Sequence, residues 1–494
     1  MSLIDVTSFG GIAADTDALL RDCFTKHPAY AAARSGDKFL VIGRKGSGKT
    51  AIFQKLLLES SHDFFSVGHT FDDYPWHHHD LQAQTGVPTE RRYVHSWKYL
   101  VLMTLTKILL NRDNSVYVSE SSLEAIGKLE NFVVDSYGSR DPDVTQLFSP
   151  ERRLKVKAGL NIQLLKLEGE QLRVRDLPVH IQEVNREVER LALEAMNPDN
   201  QYFVCFDQLD LGFNPSDPTY LDRVTGLILA ARDLKRAARR AGRKLTVVVF
   251  LRDDLYGLLQ FEDKNKLTEE NLTQVNWDTG RDGEPTLADL MSRRFGQTIR
   301  GDERLDWDSV FDETEEMPSR QTKYQHICDR TFLRPRDMIK FCNEALVTYK
   351  ERGGTEKFRN SDVHGARPEY SEYLLRELDD EIAKHVPHYK DYLEILTSIG
   401  FEQFDRETFA EEWEKREQLR DSSPTNALQE LFGFSVIGYL RTGGSGGGSK
   451  WAWRYLDPRP YRAYLPPDAE KLRVHRGFKE ALNLKQGSAQ DRTS

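Results

Sequence analysis

Between an apolar run, Phe39 to Ile42, and a helix-forming run, Ala51 to Glu59, the chain reads Gly43-Arg44-Lys45-Gly46-Ser47-Gly48-Lys49-Thr50, a complete G-x-x-x-x-G-K-T. The pattern carries its own chemistry. Glycines let successive backbone N–H groups turn inward around phosphate oxygens, Lys49 supplies an ammonium that reaches the β and γ phosphates, and Thr50 offers a hydroxyl to Mg²⁺ at the positive end of the following helix. All eight residues are expected to bind a nucleotide.

A nucleotide hydrolase also needs a carboxylate to hold the metal, and Asp207-Gln208-Leu209-Asp210 closes the apolar run Tyr202 to Phe206 downstream of the loop. Asp207 is the candidate metal ligand beside Thr50. Many ATPases of this class carry a glutamate directly after that aspartate to orient the attacking water; here Gln208 stands there, so turnover is expected to be slow and the nucleotide to act mainly as a switch. Asp210 either substitutes for that glutamate or anchors a cap or loop. Arg252 ends the run Leu245 to Leu251, at the sheet edge where ligands bind in open α/β folds; it either senses the γ phosphate or caps Asp253 or Asp254. Arg293 and Arg294 are either an arginine finger offered to a neighbouring subunit or ordinary surface. Arg334 and Arg336, in Phe332-Leu333-Arg334-Pro335-Arg336-Asp337, open a helix from which a guanidinium could fold over the phosphates and report nucleotide state.

Three weaker features remain. His77-His78-His79 is read as a polar loop rather than a metal site, since adjacent side chains cannot share one face. Cys23 and His27 are four apart without a partner pair, which points to packing. The basic segment Arg232, Lys235, Arg236, Arg239, Arg240, Arg243 and Lys244 is either a solvated helix face or a contact for phosphates.

The elements that must position these groups alternate as in an α/β fold. The phosphate-loop strand and helix are followed by a strand near Phe64 to Val67, a long apolar helix from about 93 to 110, and buried parallel-type strands at Tyr202 to Phe206 and Leu245 to Leu251, joined by a helix from about 220 to 241. Residues 1 to about 37 read as a helical lead-in. The segment from about 112 to 180 reads as an insertion, helical to Tyr137-Gly138 and then a hairpin from Leu154 to Val174 turning at Glu168-Gly169-Glu170. The expected domains are a core at 1–304, a small helical lid at 305–364 and a C-terminal domain at 365–494. In the last, helices at about 370–384, 388–399, 407–420 and 425–432 precede strand-like runs at Phe434 to Leu440 and Trp451 to Leu456, the order of a winged helix-turn-helix. The Gly443 to Ser449 stretch between the runs is a wing tip, an interdomain linker or a graft.

The chain has 494 residues, 39% hydrophobic and 30% charged, with a net charge of −9. That balance argues against a surface given over wholly to nucleic acid. No apolar run is long enough to span a bilayer, the N-terminus lacks a secretory pattern, and the four cysteines lack metal-finger spacing, so the cytoplasm is expected.

With the phosphate loop, the Asp207 strand, the Arg252 strand, the Arg-Pro-Arg lid and the terminal winged-helix layout in that order, the chain resembles P-loop ATPases of the AAA+/STAND type with an initiator-like (origin-recognition and Cdc6-type) arrangement. Ser8-Phe9-Gly10, Ala14-Asp15-Thr16-Asp17, Val94-His95-Ser96-Trp97-Lys98 and Asp263-Lys264-Asn265-Lys266-Leu267, with the phosphate loop, resemble a bacterial P-loop ATPase family found in mobile elements and phage-defence neighbourhoods. The resemblance implies ATP and Mg²⁺ as cofactors and self-assembly, with catalytic roles for Lys49, Thr50, Asp207, Arg252, Arg293 and Arg334 or Arg336; the expected function is a nucleotide switch whose closure on ATP changes how the C-terminal region meets a protein effector or sensor partner in phage defence. Two other functions are open: a DNA-binding initiator or remodelling ATPase, and a small-molecule kinase. Ser423 to Leu431, the expected recognition helix, has no Arg or Lys, so DNA contact is expected to be weak.

Overall fold

The computed structural model describes residues 2–59, 61–71, 76, 79–80, 83, 87–115, 117–148, 153–154, 172–173, 177–214, 217–281, 284–301, 304–383, 385–442, 448–457 and 464–492. They form two compact units: Lys26–Arg44 with Lys49–Val275, and Met1–Thr25 with Lys45–Gly48 and Asn276–Ser494.

The first unit is built on a parallel sheet. Its strands are β1 (Leu40–Gly43), β2 (Phe64–His69), β5 (Gln201–Phe206), β6 (Lys244–Arg252) and β7 (Leu272–Gln274); β3 (Arg153–Leu154) and β4 (Leu172–Arg173) form a separate antiparallel ladder. The sheet order is β2-β5-β6-β1-β7, parallel at every pairing. Strands β5 and β6 are continuous apolar runs buried along nearly their whole length, as a sheet covered on both faces requires. The short β7 has no such run and is recognisable only by its pairing, Leu40 with Leu272.

Helix Val94–Asn111 is apolar on nearly every side because helices Glu120–Tyr137, Leu177–Ala195 and Tyr220–Arg240 pack around it. Trp97 is fully buried there and donates its indole N–H to the Arg223 carbonyl at 2.8 Å. The helical part of the expected insertion is therefore integral to this unit, and helix Leu177–Ala195 extends it. Glu120–Tyr137 starts where Ser119 Oγ accepts from Ser122 N and stops at Gly138, whose φ of 73° is left-handed. The two-residue ladder pairs Arg153 with Arg173 and Leu154 with Leu172, and the expected turn at 168–170 lies outside the described residues.

In the second unit one apolar core joins Val6, Phe9, Trp277, Met291 and Phe295 to Phe311, Phe341, Phe358 and the C-terminal helices. This shared core redraws the expected domain limits: residues 1–25 and 276–304 pack here, continuous with the lid. Within the expected lead-in, α-helix is confined to Leu20–Cys23 and Pro28–Arg34.

The C-terminal region runs helix Arg367–Ile382, helix Tyr389–Ile399, β8 (Phe401–Asp405), helix Arg406–Glu414, helix Pro424–Gly433, β9 (Ile437–Arg441), β10 (Lys450–Ala452), β11 (Lys471–Val474) and β12 (Lys485–Ser488). These strands make one sheet in the order β10-β9-β11-β8-β12, with only β12 parallel to its neighbour. Strands β9 and β10 pair antiparallel, Arg441 with Lys450 and Tyr439 with Ala452, on either side of the glycine-rich stretch. Residues 443–447 of it are outside the described residues. The second expected strand run ends early, because Arg454–Leu456 forms a 3₁₀ turn. Among the described residues no helix is long and apolar enough to cross a membrane.

Candidate functional site

Strand β1 ends at Gly43 and helix Lys49–Leu58 begins six residues later. In the sheet unit, Lys49 Nζ donates to the carbonyls of Gly43 at 2.8 Å and Arg44 at 3.0 Å. Desolvation draws the Lys49 ammonium below the ordinary lysine range, with the negative charge of Asp210 and Asp207 pulling the other way.

Asp207 is the residue after β5 and is 2% exposed. Burial raises its carboxyl pKa to about 6, against the opposing pull of a hydrogen bond from Thr50 and the charge of Lys49. Its Oδ2 is buried and has no hydrogen-bond partner among the described residues. A buried carboxylate oxygen left over in this way, beside a threonine hydroxyl, fits a hard cation with oxygen ligands. Gln208 follows in a left-handed conformation, φ 61°, uncommon for a residue with a side chain, and its Oε1 is buried without a described partner.

Arg252 is the last residue of β6 and stands in register with Gly43. Its guanidinium binds Asp254 at two points, 3.0 and 2.6 Å, and lies 3.5 Å from Asp210. Asp210 and Arg252 thus belong to one ion-paired group at the sheet edge, in which Arg252 pairs with Asp254, one of its two expected capping partners. Asp253, expected only as a capping partner, is itself 4% exposed, and its charge bears on Lys49. The signal in the sequence was the pair Asp253-Asp254 directly after an apolar strand.

Lys45–Gly48, the tip of the Gly43 to Thr50 loop, groups with the second unit. Gly46 has φ 78°, and a Cβ there would sit 3.1 Å from Arg336 Cβ, so this glycine is required by conformation and by space. Trp277 donates to the Ser47 carbonyl at 2.9 Å. Arg334, buried at the start of helix Pro335–Glu351, makes a two-point ion pair with Asp337 (2.7 and 3.0 Å) and donates to Glu381 at 3.0 Å and to the Lys45 carbonyl at 3.1 Å. Burial opposes its charge, but Asp337 and Glu381 outweigh burial and hold it well above the usual arginine range. Arg336 donates to Glu377 at 2.8 Å and to the Ile12 carbonyl at 3.2 Å, while Lys45 reaches Glu377 at 3.4 Å and Asp380 at 3.5 Å.

A guanidinium of Arg334 or Arg336 was expected to fold over phosphates; in this structure both engage carboxylates and backbone, and Arg334 donates to the Lys45 carbonyl. Glu377, Asp380 and Glu381, which pair with these arginines and with Lys45, were not anticipated: they sit on helix Arg367–Ile382, distant in sequence from the loop.

The expected arginine pair divides. Arg294 is 4% exposed, paired with Asp17 at 2.5 Å and donating to the Phe9 carbonyl at 2.9 Å, so it is an internal strut and unavailable to a neighbouring subunit. Arg293 is exposed. His79 also corrects the expected polar loop: it is fully buried, 2.8 Å from Ser96 Oγ and stacked on Trp97, whereas His77 and His78 lie outside the described residues. Cys23 and His27 are both buried, and His27 Nδ1 caps a helix by accepting from Ala29 N, as packing roles require. In the basic segment, Lys235, Arg243 and Lys244 donate to backbone carbonyls, while Arg236, Arg239 and Arg240 are exposed beside a cleft of about 720 Å³.

Residues 285–379 match a family described as the FunZ-associated C-terminal helical domain. The chain is 23% identical over 406 residues to the "Putative transposon gamma-delta 80.3 kDa protein" of Escherichia coli (strain K12), covering 79% of this chain and 53% of the relative. The chain thus spans about half the length of that relative. Among solved structures it is similar to the Aeropyrum pernix Orc1 protein in complex with DNA, at 11% identity and a TM-score of 0.35, with 94% of each chain covered. A correspondence that loose carries no argument about mechanism.

Proposed function

We propose that the protein binds Mg²⁺ and ATP at the Gly43 to Thr50 loop and hydrolyses ATP slowly, as a switch. The observation that carries this reading is the Asp207 carboxylate: buried, with its pKa raised to about 6, one oxygen unpartnered, and lying beside Thr50 and Lys49 at the C-terminal edge of a parallel sheet. Thr50 and Asp207 would hold the metal, which when bound neutralises charge on the β and γ phosphates. Lys49 exchanges its bonds to the Gly43 and Arg44 carbonyls for phosphate oxygens. Gln208 stands in place of a glutamate, and Asp210, the candidate substitute, is paired with Arg252, which supports slow turnover.

The lid completes the reading as a switch. Arg334 and Arg336 join Lys45 and the helix Arg367–Ile382 in one polar network, so movement of the loop would alter what that helix carries. The mobile-element side of the resemblance agrees with the transposon name of the relative. Lys49→Ala is expected to weaken binding of a fluorescent ATP analogue at fixed Mg²⁺ by roughly 10- to 100-fold, the worth of charge-assisted bonds to phosphate. Unchanged affinity in a folded variant would sink the proposal.

A second reading, weak association with DNA through a winged-helix-like C-terminal region, is favoured by one observation. Arg441 and Lys450 stand directly opposite each other on the β9–β10 hairpin, a like-charge pair that a phosphate would relieve. Arg454, just beyond β10, donates to the Gly433 carbonyl at 2.7 Å.

A further inference from the structure

Away from the phosphate loop, the second unit gathers arginines and histidines that no nucleotide role absorbs. His326, 2% exposed, lies at their centre: its Nε2 accepts from Arg367 Nη2 at 2.6 Å, and its backbone carbonyl accepts from Arg330 Nη1 at 3.1 Å. The His364 ring lies 5.9 Å from the His326 ring. Arg476 pairs with Asp329 at 2.8 Å, and Arg367 faces Glu480 at 3.9 Å. Arg330, 6% exposed, has no ion-pair partner among the described residues. Three guanidiniums therefore share two carboxylates, and the most buried of the three has none. An uncompensated buried cation is costly, which calls for a counter-charge.

The atoms left without partners say what kind. Arg330 Nε, Arg367 Nε and His326 Nδ1 are all buried and unpartnered among the described residues. Burial, together with Arg330, Arg367, His364 and Arg476, depresses the His326 pKa to about 2, so the ring is neutral. Since Nε2 accepts from Arg367, the single ring proton sits on Nδ1. Every unpartnered atom in the group is thus an N–H donor. A water molecule would satisfy them only by turning its own hydrogens elsewhere in a cationic surrounding; a phosphate oxyanion offers several acceptor oxygens at once and brings the missing charge. Arg330 is drawn down to about 10 by burial and by Arg367, which agrees with a surplus of positive charge.

We propose that Arg330, Arg367, Arg476 and His326 form a binding site for a phosphate group, built from residues other than those of the nucleotide loop. The phosphate is either free or the terminal phosphate of a nucleic-acid strand; both present the same tetrahedral oxyanion to the guanidinium forks.

The test uses the full chain carrying Lys49→Ala, so that the nucleotide loop cannot account for the result. Calorimetric titration with inorganic phosphate and with pyrophosphate, against chloride at matched ionic strength, should show binding and a raised melting temperature. Adding Arg330→Gln should weaken that binding roughly tenfold or more, and Arg476→Gln should weaken it less. If circular dichroism shows that Arg330→Gln does not fold, Arg367→Lys takes its place, keeping the charge but losing the fork, and must show the same loss. A 5′-phosphorylated oligonucleotide binding more tightly than its unphosphorylated twin assigns the strand end, and equal binding of the two assigns free phosphate. No binding beyond chloride in the Lys49→Ala parent, or full affinity retained in Arg330→Gln, overturns the site while leaving the nucleotide proposal untouched.

Discussion

Arg330 and Arg334 are four residues apart in the same unit, and both are almost wholly buried, yet their surroundings are opposite. Arg334 meets Asp337, Glu381 and a carbonyl, and its charge is held firmly; Arg330 meets a carbonyl and makes no ion pair among the described residues, and burial and Arg367 disfavour its charge against the pull of Glu480 and Asp329. The difference teaches that burial alone says little about what a charged side chain does. Which carboxylates the fold brings to it decides whether it braces a loop or waits for an anion.

The comparison is broken most forcefully at Asp337. Asp337→Ala removes the two-point partner and leaves a buried guanidinium short of charge, so it should cost about 3–5 kcal/mol in urea unfolding. Arg330→Met, in phosphate-free buffer, removes a cation that lacks a carboxylate and should cost under about 1 kcal/mol or stabilise. Equal losses from the two variants would erase the distinction between the two environments.

Asp207 sharpens the comparison as a buried anion. Its folded pKa of about 6 lies above its unfolded value, so between roughly pH 4 and 6 the folded state holds the proton more tightly. The stability it contributes is fully present below the unfolded pKa and is lost as pH rises through about 6, to an extent of about 3 kcal/mol. Asp207→Asn should therefore gain stability over the parent as pH rises from 4 to 7, measured by thermal melts without nucleotide. A difference that does not change with pH would mean the carboxyl is not perturbed.

The smallest effect is expected at the exposed pair Arg441 and Lys450. Replacing each with Gln should lower nonspecific duplex affinity and reduce the salt slope by about one per residue, read by fluorescence anisotropy over a salt series. An unchanged slope would remove the hairpin from any DNA contact.

Much of the sheet unit was legible because its signals are local. The glycines of the loop, the apolar runs of β5 and β6, and the all-round apolar helix Val94–Asn111 each state their environment within a few residues. Strand β7 was not legible, since three residues carry no periodicity and only pairing with β1 makes them a strand. Among the site residues, Lys49, Thr50 and Asp207 could be chosen by motif and strand position. The arginines could not be sorted, because an arginine reads alike in sequence whether it pairs with Asp17, as Arg294 does, or stands exposed, as Arg293 does.

By itself, then, the sequence determined the phosphate loop, the acidic strand end and the alternation that sets them at one sheet edge, because backbone conformation and apolar periodicity are short-range properties. Only the tertiary structure decided that residues 1–25 share a core with the C-terminal unit, that Glu377 and Glu381 hold the lid arginines, and that Arg330 is left without a carboxylate. Those outcomes depend on pairs dozens to hundreds of residues apart, and charge compensation between such pairs exists only once folding has brought them within a few ångströms.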